Sequence, residues 1–117
     1  MHLTLWMKPL SLNHCFRGRR FDTTAKKVYD ATLQYTLPKE KVEAEYYRVV
    51  FRFHLKRCFA GDLDNLCKVL LDNIVDRGII SNDNRVVEIH LFKYPAAKDR
   101  IEITVEPAAL PMPQGEI

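Results

Sequence analysis

Residues 47–57 set the strongest limit on what this chain can fold into. From Tyr47 to Arg57, Val49, Phe51, Phe53 and Leu55 point one way, and Arg48, Arg52, His54 and Lys56 point the other. Strand side chains leave on opposite faces with period two, so only a strand gathers these apolar groups on one side. An apolar face backed by a basic one predicts a half-buried antiparallel strand on the core of a sheet. The basic face could meet phosphate, although a simply solvated face would carry the same pattern.

The remaining segments fit around that strand. Leu3, Leu5 and Met7 alternate with Thr4, Trp6 and Lys8, which predicts a first strand over 3–8, ended by Pro9. Ser11 to Asp22 reads as a polar, basic loop. Thr23 or Thr24 can cap a helix reaching about Tyr35, with Val28, Tyr29 and Leu33 on one face. Pro38 to Lys41 is a charged connector. Leu63, Leu66, Leu70 and Ile74 recur at helical spacing, so a second helix is expected over 63–76 with these residues toward the sheet and Gly78 as its stop. Ser81 to Asn84 is a turn cluster. Strands are expected at 86–93 and 100–106, joined by the loop Tyr94 to Asp99. The order β-α-β-α-β-β predicts a small two-layer α+β domain, helices packed on a largely antiparallel sheet. One domain over residues 1–106 suits a chain of 117 residues, with a loose Pro-rich tail at 107–117.

Charge is unevenly spread. Residues 1–60 hold 12 Lys+Arg against 5 Asp+Glu, whereas residues 61–117 hold 6 against 10. A basic half beside an acidic half fits a protein that grips polyanions and also binds cations. Arg17, Arg19 and Arg20, with Lys26 and Lys27 beyond them, form the expected grip on a phosphate backbone, since arginine makes bidentate phosphate contacts. Phe16 and Phe21 flank them and could stack on unpaired bases or pack at a dimer interface. The histidines His2, His14, His54 and His90 are scattered. Cys15, Cys58 and Cys67 are odd in number and show no C-x-x-C spacing, which speaks against a disulfide framework or a zinc knuckle and for a reducing compartment. The alternating start reaches Pro9 too soon for a signal peptide, and no apolar run is long enough to cross a bilayer.

Chemistry is concentrated in Asp62, Asp64, Lys68 and Asp83. Asp62 is a candidate N-cap of the second helix and Asp64 lies in its first turn, where acids also sit for ordinary reasons of capping and helix dipole. Asp64, Lys68, Asp72 and Asp76 follow at i, i+4 along one polar stripe, which a solvated row of ion pairs would also produce. Asp83, in a turn before a strand of the same sheet, could approach Asp62 and Asp64. Three convergent carboxylates need a counter-charge. Mg²⁺ or Mn²⁺ would supply it, with few carboxylates, several waters and substrate phosphate oxygens. Two such ions about 4 Å apart can activate water and stabilise a leaving 3′-oxygen. Lys68 would point at the same place and stabilise transition-state charge, or simply pair with Asp64 and Asp72.

These residues resemble the RusA family of Holliday-junction resolvases, small Mg²⁺-dependent endonucleases of bacteria and their phages. The family pattern Asp-x-Asp-Asn-x-x-Lys, then a helix, an acidic turn and a hydrophobic strand, stands here as Asp62-Leu-Asp-Asn-Leu-Cys-Lys68, Asn82-Asp83 and Val86-Val-Glu-Ile89. Pro9-Leu-Ser-Leu-Asn13 and Phe16 are similar to the family's stretch after the first strand. The resemblance covers most of residues 3–106. It implies a metal-binding catalytic triad of Asp62, Asp64 and Asp83, a supporting catalytic Lys68, and a cytoplasmic homodimer that resolves four-way DNA junctions by paired symmetric nicks in recombination, repair or phage DNA processing. Two departures accompany it. Asn82 stands where many relatives have a second acid. Phe59-Ala-Gly61 stands where they often carry basic residues, leaving Arg57 as the nearest cation to the first aspartate. A broader flap and fork nuclease, or a nucleic-acid-binding module without catalysis, are the alternatives.

Overall fold

The computed structural model describes residues 1–17 and 21–112. Its elements are β1 (His2–Leu5), β2 (Phe16–Arg17), β3 (Phe21–Asp22), α1 (Thr24–Thr36), β4 (Tyr46–Leu55), α2 (Leu63–Arg77), β5 (Val86–Pro95) and β6 (Arg100–Ala108), with short 3-10 turns at Leu12–His14 and Asp83–Arg85. Four strands form one mixed sheet in the order β1-β6-β4-β5, and β2 pairs with β3 in a separate small ribbon. This is the small α+β architecture expected from the sequence. The ribbon lies within a segment the sequence reads as loop.

β4 is the spine of the sheet. Its register puts Val49 opposite Val105, Phe51 opposite Ile103 and Phe53 opposite Ile101 on β6, and all six side chains are fully buried. Burying a side chain of this size contributes roughly 1.5–3 kcal/mol, so this double row anchors the fold. β4 runs antiparallel to β6 but parallel to β5, from Tyr47↔Val86 to Leu55↔Pro95. The parallel pairing follows from α2, which carries the chain back along the sheet so that β5 starts beside the start of β4. β5 and β6 each continue two residues beyond their expected ends. β6 therefore includes Pro107 and Ala108, where the sequence places the beginning of the tail, and residues 113–117 lie outside the described residues.

Both helices cover one face of the sheet. Thr23 caps α1, its hydroxyl accepting from the Lys26 backbone N–H, and Tyr29 and Leu33 are buried. Val28 is 60% exposed, contrary to the expected apolar face. One residue turns a helix by about 100°, which takes Val28 off the stripe of Tyr29, Leu33 and the fully buried Leu37. On α2, Leu66, Leu70 and Ile74 are buried, and Gly78 closes the helix with φ 89°. Glycine adopts that left-handed conformation without a Cβ clash, and its N–H satisfies the carbonyls of Ile74 and Val75. The helices are joined through Asn73, a buried polar residue. Its amide donates to Asp30 Oδ1 at 2.8 Å and to the Val69 carbonyl at 3.0 Å, and its Oδ1 accepts from Gln34 Nε2 at 3.0 Å.

Candidate functional site

Asp62 occupies the N-cap position of α2 in extended conformation, yet its side chain makes no capping hydrogen bond. The three other N-caps, Ser11, Thr23 and Asn82, each accept a backbone N–H. Capping therefore does not account for the Asp62 carboxylate. Asp64 follows in the first turn, exposed like Asp62. Neither acid takes part in an ion pair among the described residues. Two unspent carboxylates thus face solvent at one helix start, near the positive end of its dipole.

Their position is set by the segment between β4 and α2. The Ala96 N–H donates to the Leu55 carbonyl at 3.0 Å, and the Lys56 N–H donates to Asp99 Oδ1 at 3.0 Å. Lys93, on β5, donates from Nζ to the Gly61 carbonyl at 3.0 Å, and the same ammonium lies 5.6 Å from the centre of the exposed Phe59 ring. β5 and the loop that leads from it to β6 thereby clamp the approach to Asp62. Sequence reasoning missed Lys93 as a positioning residue. It sits 32 residues from Gly61 in an ordinary strand pattern, so no local signal marks it.

Lys68 lies one turn beyond Asp64. Its Nζ is 2.9 Å from Asp72 Oδ1 and 3.7 Å from Asp83 Oδ2. The hydrogen bond to Asp72, the charge of Asp72 and the weaker influence of Asp83 hold the ammonium above the ordinary lysine range, against the opposing pull of burial. Lys68 therefore stays a cation through neutral pH. The structure brings Asp83 onto the α2 stripe beside Lys68 and Asp72. It does not bring it together with Asp62 and Asp64: among the described residues, no group of three or more His, Cys, Asp or Glu is placed to hold a metal ion. Asn82 accepts the Asn84 N–H at 3.1 Å and so shapes the turn that presents Asp83. Cys67, between the acids and the core, is buried, and that burial pushes its thiol up, leaving it a neutral core group.

The expected phosphate-binding cations are placed unequally. Arg17 lies on β2, whereas Arg19 and Arg20 are outside the described residues. Lys26 is held between Asp30 at 2.5 Å and Asp22 at 3.6 Å, so carboxylates already claim much of its charge. Lys27 is exposed on α1, and Arg57 is exposed just before Asp62. The basic face of β4 is also largely matched. Arg48 pairs with Glu106, His54 Nε2 lies 2.7 Å from Glu102 without hydrogen-bond alignment, and Arg52 lies over the Phe92 ring. That face behaves as a solvated sheet surface more than as a phosphate track.

Exposed carboxylates at a helix start, a held ammonium on the next turn and cations at the margins are groups able to meet a divalent cation and a phosphate backbone. The comparison with known families is more specific. Residues 17–106 match the family described as Endodeoxyribonuclease RusA, and the chain belongs to that family of Holliday-junction-resolving endonucleases. The matched segment begins after β1, so Pro9 to Asn13 lie before it. A comparison with curated proteins finds no match.

Proposed function

We propose that the chain is a Mg²⁺-dependent, structure-selective endonuclease that resolves four-way DNA junctions by paired nicks as a homodimer. The observation that carries this reading is the unspent pair Asp62 and Asp64, in the order and spacing of the matched family, at a helix start where capping explains neither. Mg²⁺ is commonly held by one or two carboxylates, with waters and substrate phosphate supplying the rest, and this donor pair fits that habit. Asp62 and Asp64 would hold the ion, with Asp83 as the third acid on the adjoining part of the α2 surface. A bound divalent ion would activate water and stabilise the leaving 3′-oxygen. Lys68, kept protonated by Asp72 and Asp83, would offer its charge to the scissile phosphate.

The homodimer is supported by β5. It is a ten-residue strand at the edge of the sheet, and Ile89 and Phe92 on it are 45% and 40% exposed. Long apolar edge strands are surfaces for further pairing. Arg17, Arg19, Arg20, Lys26, Lys27 and Arg57 are proposed to contact the DNA backbone, with Arg57 nearest the acids and Lys26 the most encumbered.

The test is cleavage of an end-labelled four-way junction with Mg²⁺ or EDTA, beside fork, flap and linear duplex, with the mass of the protein in solution measured in parallel. Paired symmetric nicks on the junction, only with Mg²⁺ and from a dimer, are expected. Equal cleavage of flaps and forks would make the chain a broader branched-DNA nuclease. A bound, uncut junction would make it a binding module.

A further inference from the structure

Beside the two free acids lies a cavity of about 510 Å³. Its size falls within the roughly 300–1,000 Å³ of ligand-binding clefts. Gly61 forms part of its wall, so the cavity ends one residue short of Asp62. Lys8, from the segment after β1, lines it together with Lys56 and Arg57. None of these three cations is engaged in an ion pair among the described residues. The one carboxylate in the lining, Asp99, accepts the Lys56 backbone N–H and makes no ion pair with the ammonium. Leu10 and Leu66 add apolar wall.

Unpaired cations gathered from distant parts of a chain repel one another, and a bound anion relieves that repulsion. An apolar wall beside them suits a sugar or base better than it suits a bare ion. We propose that this cavity seats one nucleotide of the DNA strand being cut, its phosphodiester held by Lys8, Lys56 and Arg57 and its sugar or base set against Leu10. The inference rests on the junction-cutting reading for the identity of the strand. Lys8 lies before the family-matched segment, and only the folded structure brings it to the same cavity as Lys56 and Arg57. Gly61, the lining residue next to Asp62, has nothing within 4 Å of where a Cβ would stand, so no atom crowds that point of the wall.

The experiment uses four-way junctions carrying a single neutral methylphosphonate at each phosphate near the cut in turn. Affinity is measured in EDTA and cleavage in Mg²⁺, for the wild type and for Lys8→Ala/Lys56→Ala. Both lysines are exposed, and an unchanged melting curve verifies the fold of the variant. Neutralising one particular phosphate should cost the wild type roughly tenfold in affinity, the size expected of a lost charge-assisted contact. The double variant should bind the native junction correspondingly weaker and lose clearly less than the wild type at that phosphate, where only Arg57 remains to hold it. If it loses as much again, or binds the native junction like the wild type, the subsite is overturned. Tight lysine-dependent binding of free thymidine monophosphate, with no coupling to any junction phosphate, would overturn it in favour of a small-ligand site. A wild type that binds but does not cut would defeat the catalytic reading, while the coupling in EDTA would still decide the cavity.

Discussion

The two helices begin in opposite ways. At α1, Thr23 caps the Lys26 N–H, and Lys26 in turn sits between Asp22 and Asp30, so every group has local work. At α2, Asp62 caps nothing with its side chain, and Asp64 has no ion-pair partner among the described residues. Acids and caps at helix starts ordinarily contribute to stability. At the start of α2 the helix dipole is the one local favour these acids receive among the described residues, which leaves their charge available to a bound cation. The start of α1 is tied into local structure, and the start of α2 carries the acids of the proposed site.

The sharpest way to break that contrast is to neutralise an acid on α2. Asp64→Asn should lower junction cleavage by about 10³-fold, the scale of several kcal/mol of lost metal-centred stabilisation. Affinity in EDTA and the melting temperature should stay close to wild type. Asp72→Asn, which removes an acid already paired with Lys68, should cost cleavage less than about tenfold, since such exposed pairs contribute little. Equal losses from the two variants would erase the distinction between spent and unspent acids.

Stability should respond in the reverse pattern. Asn73→Leu removes the amide that ties α2 to Asp30 and Gln34 on α1, and leaves both partners short of a contact. A loss of about 2 kcal/mol is expected in urea unfolding. Thr23→Ala should cost about 1 kcal/mol through the lost cap, whereas Asp62→Ala should cost under about 0.5 kcal/mol because no cap bond exists to lose. A larger penalty at Asp62 than at Thr23 would show the α2 acid to be structural.

The smallest effect concerns Lys68. Its folded value is raised by Asp72 and Asp83, so its pairing stabilises the protein at all pH below the ordinary lysine range and is lost as pH rises through the raised value. The ammonium is half exposed, and solvent screening keeps the contribution under about 1 kcal/mol. Unfolding curves of wild type and Lys68→Met should differ slightly at about pH 9 and converge only as pH rises past the ordinary lysine range and through the raised value. A gap that widens with pH would mean that the pair does not raise Lys68.

Much of this architecture was legible in the chain. Alternation over 47–55 fixed β4 and its buried face. The period of Leu66, Leu70 and Ile74 fixed the buried side of α2, and Gly78 fixed its end. The spacing of Asp62, Asp64 and Lys68 placed them on one helix start, because helical geometry is local and follows from i, i+4 alone. Helix α1 was legible in extent but not in face, since Val28 and Tyr29 are adjacent apolar residues and only packing against Leu33 and Leu37 chose between them.

What the sequence could not decide was which distant groups meet. That β5 lies parallel to β4, that Lys93 holds the Gly61 carbonyl, and that Lys8 and Lys56 share a cavity all depend on contacts between segments tens of residues apart. Local pattern carries no information about such meetings, because many chain paths satisfy the same periodicity. The same holds for the acids. Their types and spacing were written in the chain, but only the folded structure shows that, among the described residues, Asp62 and Asp64 have no ion-pair partner while Asp83 lies beside Lys68. A charge's partners are a property of three-dimensional neighbours, and among the described residues those partners separate the unpaired carboxylates from the one already held.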